Sequence, residues 1–355
     1  MHTLFALEDM YGLKIGAIDG KVCLRLDKST SSTYSTIFDM FHAWQEQAAR
    51  LERGEITKEE YDQWRYNYPD DGTFNFQKEQ KMETIEYLYH YTNIETLALI
   101  LKNKTIRFNS LDKMDDLQEQ ETSDLKNIGQ FCYISSWTDD ETESIPMWNM
   151  YASLNLGVRI KLRKNPFKVY NNLPSDLSRV LNLPIKDESG GKYLQSIIPL
   201  SEMFSKGFFS VQAMSKELLH KVEYTNDTAK LYPSLLKENG EQFSIALGEL
   251  GKYKNLHWQF QNEWRYILNI LPLNLNQPVE GAIHNFQIIA NKMRLGLEKQ
   301  PIPYYDMTLS NDAFINMQIT LSPRISAGSR IIVQNLVEKY NPTAELKESN
   351  ILGLI

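Results

Sequence analysis

The period at which apolar residues recur changes several times along the chain, and each change marks an element. Leu13, Ile15 and Ala17 alternate with other residues, Asp19-Gly20 supplies a tight turn, and Val22, Leu24 and Leu26 alternate on the return, which predicts a β-hairpin. A Ser/Thr-rich connector, Ser29 to Ser35, follows. Ile37, Phe41, Trp44, Ala48 and Leu51 then recur at helical spacing, with Met40 on the same stripe, and Gly54 closes that helix. Thr57 and Glu60 have the spacing of a capping box, with Ile56 and Tyr61 placed as its hydrophobic staple. The helix they open ends before Pro69, and Asp70-Asp71-Gly72 marks a boundary. Residues 1–80 therefore read as an accessory or partner-binding module, and residues 81–355 as a second domain.

From Glu83 the pattern is richer. YLYHY (Tyr87 to Tyr91) predicts a short aromatic strand, and Thr92 with Glu95 a capping box for a helix through Ile94, Leu97, Ala98 and Leu101. Thr105 to Phe108 reads as a strand, Asp112 to Glu121 as an acidic loop or helix, and FCYISSW (Phe131 to Trp137) as a strand buried on at least one face. Ser144 to Ala152 reads as helical, and Val158, Ile160 and Leu162 alternate with Arg159 and Lys161 in a further strand. Residues 165–250 are mixed and read as mostly helical. Strands are expected at Trp264 to Leu271 and Met317 to Leu321, and Arg330 to Tyr340 as a strand leading into a helix. No Gly-rich loop joins a strand to a helix, which argues against dinucleotide-binding and P-loop folds.

Composition narrows the classes. With 42% hydrophobic residues, 19 Tyr, 15 Phe and 6 Trp, the chain is not disordered by composition. A net charge of -7 argues against coating nucleic acid by bulk charge, while leaving local basic grooves open. Cys23 and Cys132 are the two cysteines and form no paired motif, so a disulfide framework or cysteine zinc site is not expected. The amino-terminal MHTLFALEDMYGLK has no basic run followed by an apolar one, and no apolar stretch approaches a bilayer span of roughly 20 residues, so a soluble, cytoplasmic protein with no membrane partner is expected. His257, Glu263 and His284 have no metal-ligand spacing, and no nucleophile elbow is present.

Three segments carry a resemblance: LYHYTNIETLALILKNKTIRFNS (Leu88 to Ser110), FCYISSWTDDETESIPMWNMYASLNLGVRIKL (Phe131 to Leu162), and HWQFQNEWRYIL (His257 to Leu268) with the closing ITLSPRISAGSRIIVQNLVEKY (Ile319 to Tyr340). In order and separation they resemble a bacterial family of uncharacterised proteins. The layout is similar to that of ADP-ribosyltransferases of the His-Tyr-Glu class. Where the family usually shows Asn-Asp-Pro before an acidic residue, this chain has Met114-Asp115-Asp116-Leu117, which departs from the pattern. The resemblance implies an α+β fold, with a split antiparallel sheet, flanking helices and NAD as co-substrate in the cleft. The amino-terminal module lies outside it.

The resemblance implies roles for particular residues. Breaking the bond between nicotinamide and ribose develops positive charge on the ribose, which a carboxylate stabilises. Glu263, at the start of a predicted strand, is the candidate catalytic residue; the alternative is an ion pair with Arg265, which otherwise steers its orientation. His90 stands where a strand turns into a helix and is placed to hold a ribose hydroxyl, the alternative being a packed core histidine. Tyr91 and Thr92 are cofactor-binding candidates beside it, with plain core as the alternative for Tyr91. Ser135 or Ser136 is placed to position the nicotinamide amide, since neighbours on a strand face opposite sides. Trp148 and Tyr151, three apart on a predicted helix, are expected to share a face and sandwich the nicotinamide ring, or to be plain core. Arg107 is a candidate for the diphosphate, with a solvated strand end as the alternative.

The function implied is transfer of ADP-ribose from NAD to a macromolecule, nucleic acid and RNA in particular being preferred over protein. Relatives of this type act as toxins or in phage defence, so an antitoxin partner is implied. Lys102, Lys104 and Arg107, and Arg159, Lys161, Arg163 and Lys164 near Phe167 and Tyr170, are candidate acceptor-docking clusters or solvated faces. A different class stays open: a non-catalytic sensor or adaptor that binds NAD, ADP-ribose or nucleic acid.

Overall fold

The alternating segments at the amino end form the expected hairpin: β1 (Leu13–Ile18) pairs antiparallel with β2 (Lys21–Leu26), from Leu13↔Leu26 to Ile18↔Lys21. The computed structural model describes residues 13–18, 21–26, 34–67, 85–172, 194–214, 218–239, 242–273 and 279–354. The turn at Asp19-Gly20, the connector at 29–33 and the Asp70-Asp71-Gly72 boundary lie outside the described residues. Helix α1 (Tyr34–Glu52) ends at Gly54, whose φ of 71° only glycine adopts freely. The capping box of α2 (Lys58–Asn67) is formed, with Thr57 N–H donating to Glu60 at 2.7 Å and Glu60 N–H donating to Thr57 Oγ1 at 3.2 Å. The chain divides into two units, Met1–Thr84 and Ile85–Ile355.

The second unit is α+β. Its largest sheet has nine strands among the described residues. They are β3 (Tyr87–Asn93), β4 (Thr105–Ser110), β5 (Cys132–Thr138), β6 (Gly157–Arg163), β7 (Leu219–Lys221), β10 (Glu263–Asn269), β11 (Tyr304–Thr308), β12 (Gln318–Leu321) and β13 (Glu345–Lys347). The path runs β7-β10-β5-β3-β6-β12-β13, with β4 also on β5 and β11 on β4. Two shorter strands, β8 (Glu223–Thr225) and β9 (Tyr253–Asn255), pair parallel outside it. The sheet is mixed rather than wholly antiparallel, because β13 returns alongside β12 after helix α5 (Ala327–Tyr340) and joins it in parallel.

Three local expectations are corrected. Helix α3 (Ile94–Asn103) is capped by Asn93, whose side chain accepts from Thr96 N–H, and not by a Thr92–Glu95 box, because β3 runs through Thr92 to Asn93. Residues 330–340 hold no strand: the β-branched run Ile331-Ile332-Val333 is helical, started by Ser326 as N-cap and fixed by burial of Val333 and Val337. The described part of 165–250 is mainly short strands and single turns; its helices are Leu200–Ser205 and Thr228–Leu231. Helix α4 (Val279–Arg294) follows.

Alternation along β5 and β10 divides the core. Cys132, Ile134 and Ile267 pack with Leu111, Ile128, Phe131, Leu235 and Leu250 on one face. On the other, Tyr266 meets Phe167 edge-on at 4.9 Å and Trp137 edge-on at 6.1 Å.

Candidate functional site

The sheet forks at β5. One edge of β5 pairs with β10 along its whole length, from Glu263↔Thr138 to Asn269↔Cys132. The other edge is shared. β4 holds it at Tyr133 and Ile134, and β3 meets it only at Thr138, opposite Tyr89. Among the described residues, no strand neighbours the backbone of β5 on that edge between these attachments. His90 bridges the gap, its Nδ1 lying 2.8 Å from the carbonyl oxygen of Ser136. A carbonyl only accepts, so Nδ1 carries the proton and in the neutral ring Nε2 is the acceptor. Burial lowers the pKa of His90 against the opposing pull of that hydrogen bond. The ring lies 5.0 Å from that of Trp137.

Two cavities open at the fork. One, of about 100 Å³, is lined by residues that include His90, Ser136, Tyr151, Lys254, Glu263 and Arg265. The other, of about 420 Å³, includes Thr92, Thr96, Asn103, Arg107, Asn109 and Asp306 in its walls. His90, Tyr91 and Tyr151 belong to both.

Glu263 belongs to a buried quartet of charges. Asn262, in a left-handed conformation with φ of 42°, turns the chain into β10 and aims the following residue inward. Arg265 Nε donates to Glu263 Oε1 at 2.6 Å and Nη2 to Oε2 at 3.0 Å. Lys254 on β9 reaches Glu263 Oε2 at 2.9 Å and Glu119 Oε1 at 3.1 Å, and Arg265 Nη1 also donates to Glu119. Two acids and two bases cancel, which is how four charges are tolerated out of water. Burial opposes ionisation of Glu263, yet Arg265, Lys254 and the Ser136 hydroxyl outweigh it and hold the carboxyl well below its usual range. Tyr224 on β8 accepts the Glu263 N–H at 2.8 Å.

Tyr151 comes from a widened turn. Ser144 caps a short helix, Ile145–Met147, which opens into a π turn, Trp148–Ala152. Tyr151, partly buried, packs against the cluster formed by Tyr91, Trp148 and Ala152. Tyr151 lines both cavities; Trp148 lines neither and is fully buried against Tyr91, edge-on at 5.0 Å. Burial, with the charges of Asp115, Glu263 and Glu119, raises the pKa of the Tyr151 phenol, so it remains protonated. Gln261 Nε2 donates to that oxygen, which leaves the hydroxyl proton to be donated elsewhere. The turn is tied down by Glu143. This buried carboxylate accepts from Trp148 Nε1 at 2.9 Å, from Ser349 Oγ at 2.6 Å and from Asn350 N–H at 2.7 Å, while Ile351 packs on the same cluster.

Of the residues singled out from sequence, Glu263, His90, Ser136, Tyr91 and Tyr151 share the smaller cavity, and Thr92 and Arg107 line the larger. Arg107 is engaged bidentately by Asp306, at 2.8 and 2.9 Å, and stacks 3.6 Å from the centre of the Tyr304 ring. Ser135 faces away and accepts from Trp137 Nε1 at 3.0 Å. Tyr91 is buried, its hydroxyl bonded by Ser144 N–H and Arg159. Sequence reading missed Glu119, Lys254 and Asp115. The acidic loop was legible as acidic, but nothing local marks Lys254, far along the sequence, as a partner of Glu119.

The class defined by these observations is an α+β domain with a forked mixed sheet, flanking helices and a cleft at the fork with buried charges in its wall. Comparison with protein-family models, with curated proteins and with solved structures finds no match to the chain. Among the described residues no helix is long and apolar enough to cross a membrane, and no group of three His, Cys, Asp or Glu could hold a metal ion.

Proposed function

We propose that the chain is an NAD-dependent ADP-ribosyltransferase that modifies a macromolecule, RNA or another nucleic acid ahead of protein. The observation that carries this reading is that Glu263, His90, Ser136 and Tyr151, far apart in sequence, line one cavity at the sheet fork. The donor set suits NAD. A neutral imidazole protonated at Nδ1 accepts from a ribose hydroxyl at Nε2, and the protonated Tyr151 and the Ser136 hydroxyl serve the carboxamide end. The larger cavity beyond His90 has room for the rest of the molecule, with Arg107 in its wall paired to Asp306.

When bound, NAD supplies a nicotinamide leaving group and a ribose carbon on which positive charge develops. Glu263 meets that charge as a fixed anion, oriented before the reaction by Arg265 and Lys254. Glu119 offsets the two cations. We further propose that such an enzyme works in the cytoplasm as a toxin of phage defence or of a toxin–antitoxin pair, restrained by an inhibitor protein.

A second reading is a non-catalytic sensor or adaptor that binds NAD, ADP-ribose or nucleic acid. It is favoured by one observation: both oxygens of Glu263 are already ion-paired and the residue is 4% exposed. Incubating wild-type and Glu263→Ala proteins with labelled NAD and cell lysate, followed by nuclease or protease, separates the two. Label with wild type alone supports the transferase, and the treatment that removes it names the acceptor. No label from folded wild type that binds NAD supports the adaptor.

A further inference from the structure

The smaller cavity contains two carboxylates in contrasting surroundings. Glu263 is buried and gripped on both oxygens. Asp115 lines the same cavity, is exposed, and makes no hydrogen bond or ion pair with a described residue. Its position is nevertheless fixed. On one side Leu111 is buried in the core and Met114 packs against the same cluster. On the other, buried Asp116 accepts from Gln118 N–H at 3.0 Å, and Glu119 is pinned by Arg265 and Lys254. The loop thus holds one water-facing carboxylate at the cavity while anchoring its neighbours on both sides.

Resting on the transferase reading, we propose that Asp115 is the proton acceptor for the incoming nucleophile, leaving Glu263 to the ribose. Two carboxylates in one site take different roles when their environments differ. A carboxylate bound at both oxygens by an arginine and a lysine is poorly placed to take a proton; one open to water accepts the proton of an approaching O–H or N–H group as its bond to carbon forms. The ribose carbon's bond to nicotinamide breaks, and its electron pair leaves on nicotinamide. The acceptor's oxygen or nitrogen bonds to that carbon. Its proton passes to Asp115 and then to water. No oxidant or reductant is needed.

The experiment compares wild type, Asp115→Asn and Asp115→Glu, with Glu263→Gln as the control. Four quantities are measured: NAD binding by titration calorimetry, thermal midpoint, nicotinamide released, and label transferred to the acceptor identified in lysate. Expected is a fall of about 10²-fold in label transferred per nicotinamide released for Asp115→Asn, with partial recovery in Asp115→Glu. NAD binding and the thermal midpoint show that the variant is folded and loaded. An unchanged ratio in Asp115→Asn overturns the role of Asp115 while leaving the transferase reading standing. Wild type that binds NAD but releases no nicotinamide overturns both.

Discussion

Arg265 and Glu263 lie two positions apart on β10, and the guanidinium clasps both carboxylate oxygens of its neighbour, at 2.6 and 3.0 Å. Strand periodicity puts both side chains on one face, and burial leaves them little else to bind. The bidentate fork gives the carboxylate one orientation, while Lys254 adds a third contact at 2.9 Å.

The folded-state pKa of Glu263 is depressed, so its contribution to stability is present above the ordinary carboxylate value and is lost as pH falls through the folded value. Between those limits the unfolded chain binds a proton that the folded chain refuses. The expected outcome is a steep loss of stability between about pH 4.5 and about pH 2, weaker in Glu263→Gln, read from urea midpoints against pH. An identical slope in the variant rejects the assignment.

Removing one member of the quartet leaves an odd charge out of water. Lys254→Met is expected to cost about 3–5 kcal/mol, and Glu119→Gln a similar amount. The double variant, neutral again, should cost well under their sum. A double-mutant cycle in denaturant with a coupling energy near zero would contradict the pairing.

His90→Phe keeps the ring's packing on Trp137 but removes both ring nitrogens. NAD affinity is expected to fall roughly 3- to 10-fold, the worth of one neutral hydrogen bond. Because burial lowers the pKa of His90, the wild-type affinity should stay level above the ordinary imidazole value and fall only in acid, when Nε2 gains a proton. Calorimetry across pH reads both.

Gly157 begins β6 beneath the π turn, and a β-carbon there would stand 2.2 Å from the carbonyl oxygen of Ala152. Gly157→Ala is expected to destabilise by about 1–3 kcal/mol and to displace Tyr151. A melt checks the first effect, and loss of NAD binding at temperatures where the variant is folded checks the second.

Much of this arrangement is legible one element at a time. Alternation in FCYISSW announces β5, and the serine pair already requires one hydroxyl on each face; Ser136 takes the cavity and Ser135 the opposite side. What is illegible depends on neighbours distant in sequence. Glu119 is paired with Arg265, 146 residues later, and no local period records that. Trp148 and Tyr151 stand on a π turn, whose extra residue per bond leaves no mark in apolar spacing. The β-branched run after Arg330 favours a strand by propensity, and the Ser326 cap with burial of Val333 overrides it.

Glu143 binds Ser349 and Asn350 across more than 200 positions, and that tether has a consequence for biosynthesis. A chain emerging from the ribosome exposes β3, β5 and even Glu263 long before residues 349–351 arrive to secure the turn bearing Tyr151. Contacts so remote in order form late. The cleft is therefore completed only after residues 349–351 have left the exit tunnel, so a nascent chain that stops short of them carries every residue of the cavity without yet holding them in place.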